Sequence, residues 1–359
     1  MNEARLARVM EKMKEQGLEQ MLVSDPPTIF YLTGQWFHPG ERMLALLVRT
    51  DGSHRLFLNR LFPAQECGIA LTWLTDSDDG PALVARYLDA HKALGIDKNW
   101  PSRFLLRLME LSAAAGYCNA SPCCDLVRAV KDEEELELLR ISSQTNDSCM
   151  AAAARAIRPG ITERELAQFI LECYQKHGAG DGVSFPPIVA FGEHGADPHH
   201  GNDDTPLTPG QSVLIDMGCI QNNYCSDMTR TFFTAPPDEE HRRVYELVRR
   251  ANEAAEAMIR PGVRLCDIDK AARDIITEGG YGPQFNHRLG HFIGLEDHEF
   301  GDVSSANPNT VQPGMVFSIE PGIYLPRDFG VRIEDLVIVT QDGCQVINRY
   351  PKELTVLSL

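Results

Sequence analysis

Cations are scarce in this chain: 34 Lys and Arg stand against 51 Asp and Glu, a formal net charge of -17. Phosphate backbones and anionic membrane surfaces are gripped by basic footprints, so this balance excludes nucleic acid and membranes as partners. Long apolar runs are missing as well, and no stretch reaches the roughly 18 residues of a membrane-spanning helix. The opening segment MNEARLARVMEKMKEQG is charged and lacks the apolar centre of an export signal, so a cytoplasmic protein is expected. Ten cysteines include no CxxC pair, and Cys123 and Cys124 are adjacent rather than spaced for a zinc finger. Reduced, mostly buried thiols are expected. No glycine-rich phosphate loop occurs, since YLTGQWFHPGERM has the wrong spacing. The acidic excess is dispersed in short clusters (DSDDG, KDEEELE, PPDEEH), read as solvated faces or helix starts.

What is present is a globular composition, 43% hydrophobic and 24% charged, over 359 residues. That length exceeds one ordinary core and predicts two domains. Helix and strand signals alternate first: an amphipathic helix over about 3–16, then QMLVSD, TIFYLTG, MLALLVRT, HRLFL, a helix around GPALVARYLDAHKA, and ALGID. This is an α/β pattern, a mixed sheet flanked by helices. A long helical pattern then begins at Asp132, with an acidic first turn suited to the helix dipole, and stops at Arg158-Pro159-Gly160. The boundary falls near residues 125 to 132, giving domains 1–128 and 129–359.

The second half repeats itself. Residues 152–180 resemble residues 253–282, each a helix, the tripeptide Arg-Pro-Gly and a second helix ending in glycines. PGQSVLIDMG (209–218) matches PGMVFSIEPG (313–322), so Asp216 falls on Glu320. Asp227 and Glu334 are the next acidic strand residues, 107 apart. Two helix–helix–strand–strand halves predict a pseudo-twofold domain with its acids converging at the centre.

A hairpin of SVLIDMG with YCSDMTRTFF, centred on Gln221 and Asn222, would set Asp216 directly opposite Asp227. Directly opposed residues have Cβ atoms about 4.5–5.5 Å apart, too close for two carboxylates to ionise cheaply. Adding Glu320 and Glu334 makes four acids on one sheet face, which is prohibitive without cations. Carboxylate oxygens plus a nitrogen ligand suit a pair of divalent metals about 3.5–4 Å apart. FNHRLGHFIGLEDHE supplies His287, His291 and His298, and DPHHGND adds His199 and His200.

IDMGCIQNNYCSDMTRTF, HRLGHFIGLEDHE, SIEPGIY and GVRIEDLVIV resemble, in order, the signatures of metallopeptidases with the pita-bread fold, over about residues 130 to 355. The N-terminal 125 residues resemble the extra domain of that family's proline-specific branch. The fold class implied is α+β: an N-terminal α/β (creatinase-like) domain followed by a pseudo-twofold pita-bread catalytic domain. The resemblance implies two divalent metal ions, manganese first, with cobalt or zinc as alternatives. It assigns Asp216, Asp227, His291, Glu320 and Glu334 as ligands, with Glu320 also accepting a proton from the metal-bound water. It implies that His298 stabilises the tetrahedral intermediate and that His199 lies near the scissile nitrogen. A metal-bridged hydroxide would attack the carbonyl of an Xaa-Pro bond in a small peptide with proline second. Cys225 is read as packing only.

YLTGQWFHPGERMLALLV resembles a loop of bacterial prolidases that reaches the active site from a partner subunit, which implies a homodimer and a substrate contact from His38. That favours an Xaa-Pro dipeptidase; an Xaa-Pro aminopeptidase acting on longer peptides is the alternative. HEFGDVSSANPNTVQPGM contains no arginine, leaving Arg288 and Arg332 as candidates for the substrate carboxylate. A metal-free creatinase-like hydrolase and a non-catalytic binding protein would each have lost ligand acids, and none is lost here.

Overall fold

Leu6, Val9 and Met13 recur at helical spacing and are buried on one face of α1 (Glu3–Glu15), whose first turn is capped by Asn2 accepting from the Arg5 amide. The computed structural model describes residues 1–357 and divides the chain into two units, Met1–Arg128 and a second beginning at Ala129. In the first unit, strands β1 (Gln20–Val23), β2 (Ala45–Arg49), β3 (Arg55–Asn59), β4 (Ala70–Leu74), β5 (Ala93–Ile96) and β6 (Gly116–Asn119) form one mixed sheet in the order β4-β3-β2-β1-β5-β6. TIFYLTG proves to be helical: α2 (Pro26–Thr33) starts at the Asp25 cap and closes at Gly34, whose φ is +74°. The helix read around GPALVARYLDAHKA is shorter, α3 (Gly80–Ala85). Helices α4 (Ser102–Glu110) and α5 (Ser121–Ala129), with β4 and β6, add elements that the apolar pattern did not disclose.

In the second unit, α6 (Glu133–Ala156) and α7 (Glu163–Lys176) each begin with a capping box, Asp132 with Glu135 and Thr162 with Glu165. Helices α8 (Glu239–Met258) and α9 (Leu265–Glu278) are their counterparts. The first helix pair packs on the sheet β20-β12-β9-β8, made of β8 (Ile188–Phe191), β9 (Ser212–Met217), β12 (Met228–Phe233) and β20 (Thr355–Val356). The second pair packs on β14-β13-β15-β18-β19, made of β13 (Gly290–Phe292), β14 (Glu299–Val303), β15 (Val316–Ile319), β18 (Asp335–Val339) and β19 (Cys344–Val346). Two small sheets complete the unit: β7 (Gly182–Val183) with β10 (Cys219–Gln221) and β11 (Tyr224–Cys225), and β16 (Gly322–Leu325) with β17 (Phe329–Arg332).

The repeat extends to individual hydrogen bonds. Gly160 N–H donates to the Leu207 carbonyl and Gly262 N–H to that of Val311 (2.9 and 3.0 Å). The return bonds run from Leu207 to Ile161 and from Val311 to Val263 (2.8 and 2.9 Å). The halves meet where Glu334 N–H donates to the Thr229 carbonyl (3.1 Å).

The hairpin register differs from the expected one. Its turn is Asn222-Asn223, with φ of 51° and 70°, the left-handed pair that a two-residue loop requires and asparagine tolerates. Met217 therefore pairs with Met228, and Asp216 with Thr229 rather than Asp227. Asp227 lies two residues from Thr229 on the same face, so the two aspartates are diagonal neighbours.

Candidate metal centre and substrate cavity

The four acids among the five expected ligands each sit at or beside a strand end of the two sheets. Asp216 is on β9 and Asp227 immediately precedes β12; Glu320 follows β15 and Glu334 precedes β18, the corresponding places of the second half. His291 is the middle residue of β13. Buried asparagines fix two of these strand ends: Asn146 Nδ2 donates to the Met217 carbonyl (2.8 Å) and Asn252 Nδ2 to that of Ile319 (2.9 Å).

The side chains converge. His291 Nε2 lies 3.4 Å from Asp227, 3.6 Å from Glu320 and 3.9 Å from Glu334. Asp216, Asp227 and Glu334 bring one oxygen each within 4.8 Å of one another. Thr229 Oγ1 donates to Glu334 (2.7 Å), and Arg332 Nη2 donates to Asp216 (2.6 Å). Arg332 also donates through Nε to Thr229 Oγ1 and through Nη1 to the Tyr324 hydroxyl (3.0 and 3.1 Å), so all three of its nitrogens are engaged.

Electrostatically the cluster is short of positive charge. Burial, then the neighbouring Glu334, pushes the Asp227 carboxyl well above the carboxylate range; burial and Glu320 do the same to Glu334. Burial raises Glu320 to about 8. For His291, burial, with His298 and Arg288 adding to it, lowers the imidazole to about 3, so it is neutral at pH 7. Its Nδ1 faces the Phe292 carbonyl (3.3 Å), the tautomer that leaves a lone pair on Nε2 toward the acids. Asp216 Oδ1, Asp227 Oδ1 and Glu334 Oε1 are buried without a hydrogen-bond partner. Unpaired buried oxygens facing a neutral imidazole fit divalent cations, whose hard oxygen and nitrogen donors these are.

These residues line a cavity of about 820 Å³. Its apolar wall comes from Phe185, Pro186, Pro187 and Ile188, and its polar rim includes His199, Arg288 and His298. The His298 ring packs on His291 at a 37° tilt with ring centres 4.0 Å apart, and its Nδ1 lies 3.1 Å from Arg288 Nη2. His200 turns its Nε2 to Glu163 (2.7 Å), whereas the exposed His199 ring stays outside that network. His287 is held between the Arg288 carbonyl and the Tyr324 hydroxyl. His38 belongs to the first unit, on a loop where Arg42 pairs with Asp76 (2.8 Å). Cys225 is buried with its thiol raised by burial, the state of a packing residue.

Two members of the site escaped the sequence reading. Asp297 offers an oxygen within 4.8 Å of Asp227 and His291, its Oδ1 is unpaired, and burial followed by Asp216 raises it to about 7. It lies one residue from His298 in GLEDHE, where three acids stand together and only the fold separates them. Tyr324 in IEPGIY is the other, a buried phenol bridging His287 and Arg332.

Metallopeptidase family M24 matches residues 137–341, and the creatinase/prolidase N-terminal domain matches residues 5–130. An uncharacterized peptidase of Staphylococcus aureus is 34% identical, over 97% of this chain and 99% of its own. The crystal structure of dipeptidase PepE from Mycobacterium ulcerans superposes with a TM-score of 0.93 at 34% identity, covering 99% of this chain and 98% of that one. The prolidase from Pyrococcus horikoshii gives 0.90 at 30% identity, with 98% and 99% covered.

Proposed function

The chain belongs to metallopeptidase family M24 and is a metallo-exopeptidase; from that premise we propose that it hydrolyses the bond before proline in dipeptides, as a prolidase. The observation that carries this reading is the set of unpaired buried carboxylate oxygens around a neutral His291, in a cavity walled by Phe185, Pro186, Pro187 and Ile188. Likeness to a dipeptidase and a prolidase over nearly the whole chain supports the substrate class.

Asp216, Asp227, His291, Glu320 and Glu334 would hold two divalent ions, with manganese proposed first and cobalt or zinc as alternatives. When bound, such ions acidify a water and polarise a carbonyl near neutral pH. The chain's own groups supply the rest. Glu320, the most exposed of the five at 16%, takes the proton of the attacking water. His298 and His199 face the reacting bond from the rim, His298 toward the carbonyl oxygen and His199 toward the proline nitrogen. The prolyl ring packs on the apolar wall. Arg288 grips the substrate carboxylate, because Arg332 is already committed to Asp216, Thr229 and Tyr324.

A cavity of about 820 Å³ also admits a longer peptide, which favours an Xaa-Pro aminopeptidase as the second reading. For the dipeptidase, the loop that carries the partner subunit's His38 is proposed to limit substrate length, in a homodimer. Manganese-dependent hydrolysis of Ala-Pro against Ala-Pro-Ala tests the choice. Cleavage of the dipeptide alone, with His38→Ala releasing tripeptide cleavage, fits the prolidase. Equal or faster tripeptide cleavage by the unaltered protein makes it an aminopeptidase. No hydrolysis of any Xaa-Pro peptide by metal-loaded protein sinks both.

A further inference from the structure

His199 is proposed above to act on the scissile bond, yet nothing in its own surroundings holds it there. It is exposed, lies outside helix and strand, and its ring makes no hydrogen bond among the described residues. Only its backbone N–H is tied, to Asp197 Oδ1 on the same loop (3.0 Å). A group that must meet a reacting atom to within a fraction of an ångström needs a rigid mount. The mount is found by following the loop to its ends.

Both ends converge on one carboxylate. Glu163 is the first residue of α7 and is fully buried. Its Oε1 accepts from Phe191 N–H (2.9 Å), at the end of β8, and from His194 Nδ1 (2.8 Å). Its Oε2 accepts from His200 Nε2 (2.7 Å) and Asp203 N–H (3.2 Å). Four donors from both limbs of the 191–203 loop therefore meet at a single side chain. For both ring contacts to be hydrogen bonds, His194 carries its proton on Nδ1 and His200 on Nε2. The His194 and His200 rings pack at a 32° tilt with centres 4.3 Å apart, so the limbs are packed together as well as bonded. Asn202 adds a second tie at the far end, accepting from Val189 N–H and donating to the Pro187 carbonyl (2.7 Å each).

This cluster of Glu163, His194, His200 and Asp203 has the composition of a metal site, but its chemistry argues otherwise. Both Glu163 oxygens are already saturated by N–H donors, unlike the unpaired acids of the neighbouring centre. We propose that Glu163 is the positioning residue of the reaction: it clamps the 191–203 loop through His194 and His200 and so fixes His199 at the cavity rim. The inference rests on the reading of His199 as a group that faces the scissile bond.

A double-mutant cycle on the metal-loaded full chain tests it, with kcat and KM for Ala-Pro as readouts and thermal melting as the folding control. Glu163→Gln replaces two accepting oxygens by one oxygen and an NH2 that faces donors. It is expected to lower kcat roughly 10²-fold, the cost of a misplaced group about 1 Å away from its station. In the His199→Ala background the same change is expected to cost no more than about twofold, because the group it positions is gone. An equal loss in both backgrounds, or no loss in the unaltered one, overturns the proposal. If His199→Ala alone leaves kcat unchanged, the reading of His199 has failed, and that result identifies it separately. Should Glu163→Gln fail to fold, His200 decides: His200→Gln keeps an N–H donor toward Glu163 and should retain activity, while His200→Leu should lose it. Equal activity of those two variants overturns the clamp.

Discussion

At the scale of single residues, the site divides its arginines by occupation. Arg332 is 3% exposed and gives every guanidinium nitrogen to Asp216, Thr229 or Tyr324, whereas Arg288 stands at the cavity rim against His298. Arg288→Ala is therefore expected to raise KM for Ala-Pro by about tenfold or more, the loss of a charge-assisted contact of roughly 1.5–3 kcal/mol. The same variant should treat an amidated dipeptide as the unaltered protein does, because that substrate has no carboxylate to grip. An equal penalty on both substrates would place Arg288 elsewhere in the reaction. Asp297 supports a second prediction. Its unpaired oxygen lies beside Asp227 and His291, so Asp297→Asn should weaken manganese binding roughly tenfold, in the range seen when groups beside ligands are altered. Competition with a chelating dye measures this without reference to activity. The sequence pointed to acids at Asp216, Asp227, Glu320 and Glu334 because acidic residues in apolar strands violate the burial rule. Asp297 broke no such rule: in a glycine-bounded polar loop, an acid is ordinary.

At the scale of elements, legibility followed periodicity and punctuation. The Arg-Pro-Gly stops and the capped helices α6 and α7 announce themselves, because caps and left-handed glycines act locally. The hairpin register did not, since Gln221, Asn222 and Asn223 offer more than one two-residue turn and only the backbone φ values choose between them. The small strands β4 and β6 were missed because they are partly exposed and short of apolar alternation. Strand β13 shows how closely an element can be tied to the site it carries. A Cβ on Gly290 would stand 1.9 Å from the Ser318 carbonyl oxygen, a backbone atom of β15 that cannot swing aside. Gly290→Ala must therefore push β13 away from β15, taking His291 with it. The expected cost is about 1–3 kcal/mol of stability by denaturant titration, with a parallel loss of metal affinity. Retention of metal affinity at unchanged stability would mean that the two strands have slack the packing does not show.

At the scale of the whole molecule, the buried acids couple folding to both pH and cations. A carboxyl whose folded pKa lies above its unfolded value keeps a proton that the unfolded chain releases. In metal-free protein the stability tied to that proton is complete below the ordinary carboxyl range, near pH 4. It is lost as pH rises through the folded values, about 7 for Asp297 and about 8 for Glu320, with Asp227 and Glu334 also raised by burial. The histidines run the opposite way. His291 at about 3 and His287 at about 4 contribute stability that is present above the unfolded value of 6.5 and lost on acidification. Below pH 6.5 the two sets oppose each other; between 6.5 and 8 the carboxyls act alone among these groups. Outside the centre, Glu256 is raised to about 7 by burial and Asp335, and it contributes equally with or without metal. Divalent ions held by these acids would invert the sign at the centre, because ligation requires the ionised acids and releases their protons, so affinity would rise with pH. The melting temperature of chelator-treated protein should therefore fall between pH 6.5 and 8, while the gap to manganese-loaded protein widens over the same interval. A gap that stays constant across that window would mean that the raised carboxyls are not the groups that take the cations.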